Sequence, residues 1–236
     1  NHHAAHIQVG YSVVNPQFDA NNNIIGLLNI MQTAKEIGTV KKVIMASTGG
    51  AMYGDQPVPF TESMQPQPLS PYGISKRSGE LYLHFYAVQY GIPYVVLRYA
   101  NVYGPRQNPH GESGVVAIFM EKILKGEQPV INGEGTNTRD YVHVKDVAQA
   151  NVLALDYEQN GIFNIGTATE TNANEVFQLV VKYLGVELPE EHGPARPGEQ
   201  TASSLDYSLA QQELGWKPTV QFEDGVRALS ELVKSV

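Results

Sequence analysis

The chain has 236 residues, 42% hydrophobic and 17% charged, which is enough apolar material for one large domain or two smaller ones and excludes a disordered chain. Sixteen Lys plus Arg against 24 Asp plus Glu leave a formal charge of -8, and without any basic run the electrostatic footprint of a nucleic-acid or anionic-lipid binder is missing. The absence of cysteine excludes disulfides and thiolate metal sites and fits a reducing cytoplasm.

The longest apolar runs are too short to span a bilayer and no signal pattern is read at the start, so a soluble protein is expected. Asn1-His2-His3-Ala4-Ala5 has no initiator Met and no capping or turn residue ahead of its apolar residues, and reads as a cut through a longer sequence. Residues 16–38 carry Ile24, Ile25, Leu28, Met31 and Ala34 at helical spacing, with Gly38 placed to stop the helix. Residues 42–46 form a short apolar run ending in small residues, the pattern of a buried parallel strand.

Ser70-Pro71 offers an N-cap with Pro at the first helical position, and the helical pattern continues to Tyr90 with Gly91 as terminator. Residues 93–102 predict a second buried strand, so strand and helix alternate as in a parallel α/β sheet. A Gly/Pro/Asn-rich loop then reaches Gly114, followed by an amphipathic helix over 115–125 and short strands around Val130 and Tyr141. Helices are expected at 146–155, 174–184, 208–214 and 223–236, with a strand at 162–165. The composition shift near residue 104 suggests that the chain leaves the sheet there to build a substrate-covering lobe.

Tyr72 and Lys76 lie four positions apart on one helix, so both side chains share a face. An ammonium about 4 Å from a phenolate, at an effective dielectric of about 20, gains roughly 4 kcal/mol, equivalent to about three units off a phenol pKa near 10. Tyr72 is then expected to act as a general base near neutral pH. Upstream, a strand ends in Ser47-Thr48, at the carboxyl edge where a parallel sheet presents its binding crevice. His2, His3 and His6 lack a carboxylate partner and zinc-type spacing, so no metal site is expected. Val176, Leu179, Val180, Tyr183 and Leu184 form an ordinary helical core stripe.

The run Ser47-Thr48-Gly49-Gly50-Ala51-Met52-Tyr53-Gly54, followed by Ser70-Pro71-Tyr72-Gly73-Ile74-Ser75-Lys76, resembles the extended short-chain dehydrogenase/reductase family. Further matches are His3-x-Ala5, Asn23-x-x-Gly26, Leu97-Arg98-Tyr99-x-Asn101-x-Tyr103-Gly104-Pro105-Arg106, Gly133-x-Gly135 and Arg139-Asp140-Tyr141-Val142-His143-Val144-x-Asp146-Val147. Phe163-Asn164-Ile165-Gly166, Arg196-x-Gly198-Glu199 and Leu214-Gly215-Trp216-x-Pro218 complete a series that covers essentially the whole chain.

The resemblance implies an α/β fold: a Rossmann-like parallel sheet, here N-terminally truncated, with a smaller C-terminal α/β substrate lobe. Residues 1–103 and 140–168 would form the truncated NAD-binding core, and 104–139 and 169–236 the nucleotide-sugar-binding lobe. It further implies that bound NAD takes a hydride from a sugar ring while Tyr72 removes the hydroxyl proton, and that Lys76 tunes Tyr72 and holds the nicotinamide ribose. Thr48 or Ser47 would position the substrate hydroxyl. Related epimerases often place this hydroxyl four residues before the Tyr-Gly pair, where this chain has Gly49; the Gly-Gly version carries one extra residue, so Thr48 is favoured with Ser47 as the alternative. His3, Ala4, Ala5, Asn23, Ser47 and Tyr99 resemble positions that line the cofactor. Asn101, Arg139 and Arg196 would meet the diphosphate, to which guanidinium forks are suited, and Asn132 would border the nucleobase.

The family opens with a strand, a Gly-x-x-Gly-x-x-Gly turn and a helix whose N-terminus holds the pyrophosphate, and none of these is in this sequence. A sheet without that first strand is expected to expose apolar faces and unpaired edge groups, so the isolated chain, taken as complete, is expected to be inactive. For the enzyme it comes from, the leading expectation is 4-epimerisation of a UDP-hexose through a 4-keto intermediate. The alternatives are another nucleotide-sugar epimerase, dehydratase or decarboxylase of the family, or an inactive binding module. Gly50-Ala51-Met52 stands where dehydratases carry an acidic pair, which lowers the dehydratase reading. The resemblance also implies a homodimer, with the helices at 16–38 and 71–91 pairing across a two-fold axis.

Overall fold

The computed structural model describes residues 1–110, 114–195 and 199–234. The chain enters along the sheet, where His2 bridges Met45 in parallel: the His2 amide donates to the Ile44 carbonyl at 2.7 Å and the Ala46 amide to the His2 carbonyl at 3.0 Å. A short helix α1 (Val9–Val14), which the hydrophobic pattern did not announce, precedes α2 (Pro16–Ala20). A π-helical turn at Asn21–Ile25 joins α2 to α3 (Gly26–Ile37), so the helix expected over 16–38 is continuous but locally widened and underwound around Asn23.

Strand β1 (Val43–Thr48) leads through a long loop to α4 (Pro71–Tyr90). The ends of α4 are the expected ones. The Ser70 hydroxyl accepts from the Gly73 amide at 3.1 Å, Pro71 occupies the first turn, and Gly91 closes the helix at φ 66, a conformation that costs a residue with a Cβ but not glycine. Strand β2 (Tyr94–Tyr99), the shorter β3 (Asn101–Tyr103) and α5 (Val115–Leu124) follow. Next come β4 (Val130–Asn132), β5 (Thr138–Arg139), β6 (Tyr141–His143), α6 (Val144–Asp156) and β7 (Gly161–Ile165). The described chain finishes with β8 (Thr171–Asn172), α7 (Ala173–Leu184), β9 (Glu191–Gly193), α8 (Ser208–Leu214) and α9 (Phe222–Lys234).

The principal sheet is parallel, in the order β1-β2-β7, with His2 on the outer side of β1. Its register pairs Thr48 with Tyr99 and Tyr99 with Ile165, so the three strands end level with one another at one edge. Three small pairs complete the β-structure: β3 with β6 and β4 with β9 run parallel, and β5 with β8 antiparallel.

The helices sort the interior into separate clusters. Leu27, Met31 and Ala34 of α3 and Leu83 and Tyr86 of α4 pack on Val43, Met45, Tyr94 and Val96 at one face of the sheet. On the other face Val95, Leu97, Phe163 and Ile165 meet α6, together with Ala210 and Leu214 of α8 and Trp216. A third cluster joins α5, α7 and α9 through Phe119, Ile131, Val176, Phe177, Val180, Val226 and Leu229. Full burial of each such aliphatic or aromatic side chain contributes about 1.5–3 kcal/mol. Among the described residues no helix is long and apolar enough to cross a membrane.

Candidate active site

The level strand ends bring Thr48, Tyr99 and Ile165 to one rim, and α4 carries Tyr72 and Lys76 back along it. The loop after β1 approaches the first turn of α4 so closely that a Cβ on Gly73 would lie 2.3 Å from the Ala51 carbonyl oxygen. Only glycine fits there, and this explains why glycine follows Tyr72.

β1 sends successive side chains to opposite faces, and this separates the two candidate hydroxyls. Ser47 is buried and donates to Glu80 Oε1 at 2.8 Å. The Thr48 hydroxyl instead faces the Tyr72 phenol, whose ionised form it favours, while accepting from the Ala51 amide at 3.2 Å. The structure therefore takes Ser47 out of reach of the reacting centre, because its hydroxyl belongs to a buried carboxylate on the helix behind it.

The expected fall in the Tyr72 pKa is overturned. Burial pushes the phenol up to about 12, a hydrogen bond with Thr48 opposes this in part, and Asp19 adds to the rise. Lys76 Nζ lies 5.9 Å from the centroid of the Tyr72 ring and donates to the Ala46 carbonyl at 2.9 Å. With Lys76 turned to that carbonyl, desolvation of the phenolate wins over attraction to the ammonium. Lys76 is itself pushed down to about 8 by burial, against the pull of Asp19 and Glu80.

On the N-terminal side, His3 Nε2 is 3.1 Å from the Tyr99 hydroxyl with the rings stacked, and Asn151 Nδ2 donates to the same hydroxyl at 2.8 Å. Ala4 is exposed and Ala5 half-buried beside them. Asn23, expected to line the cofactor, is committed elsewhere. Its Oδ1 accepts from the His6 amide at 2.8 Å, and its Nδ2 lies within 3.3 Å of the His6 carbonyl, Asp19 Oδ1 and Ser75 Oγ. It pins the N-terminal segment to α4 and leaves its amide no free face for a ligand.

The described residues expected to contact phosphate and base sit on separate short strands, Asn101 on β3, Asn132 on β4 and Arg139 on β5. The Asn101 amide donates to the Asp140 carbonyl at 2.9 Å, which puts Asn101 beside the Arg139 strand. Arg139 donates to the Thr138 carbonyl at 2.7 Å and to Glu199 Oε1 at 3.3 Å. Asn132 is exposed on β4 and pairs with Gly193 of β9, the strand that leads toward Arg196. Arg196 itself lies outside the described residues.

Sequence reading assigned no role to Glu80, Arg98 or Asp19, all nearly or fully buried here. Arg98 holds Glu80 through both carboxylate oxygens, at 2.9 and 2.6 Å, and donates to the Tyr53 hydroxyl at 2.6 Å. The Tyr53 hydroxyl in turn donates to Asn164 Oδ1 at 2.9 Å. Glu80 stands four residues after Lys76, so helical spacing was the signal that it faces the same side.

A cavity of about 820 Å³ lies away from this rim, between α7 and the turn before α9, and includes neither Tyr72 nor Lys76.

The model of the family described as GDP-mannose 4,6 dehydratase matches residues 1–229. A putative UDP-glucose 4-epimerase of Methanocaldococcus jannaschii is 43% identical over 235 residues, spanning 99% of this chain and 76% of that protein. The crystal structure of a Thermotoga maritima UDP-glucose 4-epimerase with UDP-glucose superposes with a TM-score of 0.95 at 47% identity, covering 98% of this chain and 75% of that one. A Thermus thermophilus UDP-glucose 4-epimerase in complex with NAD superposes at 0.91 with 41% identity, over 100% and 77% of the two chains.

The chain belongs to the extended short-chain dehydrogenase/reductase family. Within that family it is most like the UDP-glucose 4-epimerases, and it is an enzyme of the nucleotide-sugar epimerase kind. The mixed α/β architecture with a parallel sheet is that of Rossmann-like family members.

Proposed function

We propose that the protein is an NAD-dependent UDP-hexose 4-epimerase that interconverts the two C4 epimers through a 4-keto sugar. The observation that carries this reading is the meeting of Thr48, Tyr72 and Lys76 at the carboxyl ends of β1 and β2. Support for the substrate class comes from relatives more than 40% identical that bear the UDP-glucose 4-epimerase name.

The residues present fit a dinucleotide's nicotinamide end. Lys76 is 8% exposed and directs one of its three donors to the Ala46 carbonyl, so its remaining donors suit ribose hydroxyls. His3, Ala4, Ala5 and Tyr99 supply a small-residue and aromatic wall beside it. When bound, NAD supplies the hydride acceptor and donor, and its cationic ring adds the positive charge that favours a phenolate.

In this reading Tyr72 takes the proton from the sugar C4 hydroxyl and later returns one, while Thr48 orients that hydroxyl and Lys76 supplies a fixed positive charge. Arg139 and Arg196, with Asn101, hold the diphosphate, Asn132 borders the nucleobase, and the lobe of residues 104–139 and 169–236 covers the nucleotide. Turning the 4-keto sugar over within this grip presents its other face. Gly50-Ala51-Met52 offers no carboxylate for the acid–base step of elimination, which argues against a dehydratase.

The test is conversion of UDP-galactose to UDP-glucose by the NAD-loaded protein. Tyr72→Phe is expected to lower turnover by about 10³-fold with nucleotide-sugar binding retained. An unchanged rate in that variant would remove Tyr72 from the mechanism, and no conversion by either protein would remove the epimerase reading.

We propose also that the enzyme works in the cytoplasm as a homodimer. The outer faces of α3 and α4 carry exposed Ile30, Ile37, Leu81, Tyr82, Phe85 and Val88, an apolar surface suited to pairing with its own copy. Sedimentation should give twice the monomer mass, and Leu81→Glu with Phe85→Glu should give the monomer.

A further inference from the structure

Asp19 is fully buried, yet its carboxylate has little to hold it. Asn23 Nδ2 donates to Oδ1 at 3.0 Å, and His6 Nδ1 lies 3.8 Å from the same oxygen. Oδ2 and His6 Nδ1 are both buried without a hydrogen-bond partner. A buried carboxylate this poorly satisfied costs stability, and its retention calls for a compensating role.

Its surroundings point to one. Asn23 also donates to Ser75 Oγ at 3.3 Å, and Ser75 donates to the Tyr72 carbonyl at 2.9 Å, which links Asp19 to the first turn of α4. Asp19 acts electrostatically on both Tyr72 and Lys76. Lys76 is faced by Asp19 from α2, Glu80 from its own helix, and His2 and His3 from the N-terminal segment; Tyr72 is faced by Thr48 and Asp19, and Asp19 by His6.

We propose that Asp19 is a positioning residue for the Tyr72–Lys76 pair: its buried carboxylate is the counter-charge that keeps Lys76 an ammonium, and through Asn23 and Ser75 it fixes the first turn of α4. The inference rests on the proposed epimerase reading for its catalytic meaning, while the hydrogen-bonded link from Asp19 through Asn23 and Ser75 to the Tyr72 carbonyl stands on the geometry. Burial favours the neutral amine of Lys76, and a negative neighbour offsets this. The same charge opposes ionisation of Tyr72, so removing it shifts both groups in one direction.

The experiment compares the unmodified protein with Asp19→Asn, and with Asp19→Ser if the first variant does not fold. The first readout is the titration of Lys76, followed by NMR of ¹³C-methylated lysines without cofactor and assigned through Lys76→Arg. The second is the pH–rate profile of the NAD-loaded enzyme. Removing the charge is expected to lower the Lys76 midpoint by about one pH unit and to move both limbs of the profile toward acid. An unmoved Lys76 midpoint overturns the proposal whatever the activity. A lower turnover with unmoved limbs also overturns it, as that is what a merely structural residue would give. A Lys76 shift in a protein that shows no epimerase activity upholds the counter-charge while sinking the function proposed above.

Discussion

Around α5, α7 and α9 the interior is built from Val116, Phe119, Ile131, Val176, Phe177, Val180 and Val226, with the Ser230 hydroxyl turned back onto its own helix at Val226. Beneath α4 the interior holds Asp19, Ser47, Lys76, Glu80 and Arg98. The first region is held by non-directional apolar burial, which tolerates repacking and needs no partner geometry. The second buries charges that must each find a partner, an arrangement that rarely adds net stability and is strongly destabilised when one partner is lost. The difference teaches where this chain gathers its buried charges: Asp19, Lys76, Glu80 and Arg98 lie around the helix that carries Tyr72, whereas the interior between α5, α7 and α9 is mainly apolar.

The sharpest way to break that comparison is to damage both regions equally. Glu80→Ala leaves the Arg98 guanidinium buried and unpaired and is expected to cost about 4 kcal/mol, and Phe177→Ala, which opens a cavity in the lobe, a similar amount. Chemical denaturation should show comparable losses. Turnover at a temperature where both variants stay folded should fall for Glu80→Ala and stay near that of the unmodified enzyme for Phe177→Ala. Equal losses of turnover would erase the distinction between the regions.

A smaller effect with a definite sign comes from Lys76. Its folded pKa, near 8, is below the ordinary lysine value of 10.5, so the unfolded chain binds more protons between those values and stability rises with pH across that window. Below about pH 8 the burial penalty on the ammonium is fully present. Lys76→Met should therefore flatten this dependence, removing the rise in stability between about pH 8 and 10, while activity is lost at every pH. An unchanged rise in the variant would mean that another group is its cause.

The smallest effects separate the two neighbouring hydroxyls. Ser47→Ala removes a hydrogen bond to a buried carboxylate and should cost about 1.5–3 kcal/mol of stability with turnover largely kept. Thr48→Val should change stability by about 1 kcal/mol or less yet lower turnover at least tenfold. The reverse pattern would return the catalytic hydroxyl to Ser47.

Much of this was legible in the residues. Ser70, Pro71 and Gly91 marked the ends of α4 because capping depends on the few residues at each terminus, and Tyr72 with Lys76 shared a face because four residues make about one helical turn. The strands at 43–48 and 94–99 were visible as short apolar runs with buried character on both faces. Less legible were α1, whose exposed Val9, Tyr11, Val13 and Val14 follow no amphipathic period, and the short pairings of β5 with β8 and β4 with β9, which have too few residues to show a pattern.

By itself, then, the sequence determined the parallel α/β class, the ends of α4 and the juxtaposition of Tyr72 with Lys76, since each follows from rules that act over a few neighbouring residues. Only the tertiary structure decided that Thr48 and not Ser47 faces the phenol, that Glu80 pairs with Arg98, and that Asp19 is buried and linked through Asn23 and Ser75 to the first turn of α4. It also reversed the expected direction of the Tyr72 shift. Charge and burial act through space, and how much water a group loses and which charge faces it depend on elements brought together from α2, β1, β2 and α4.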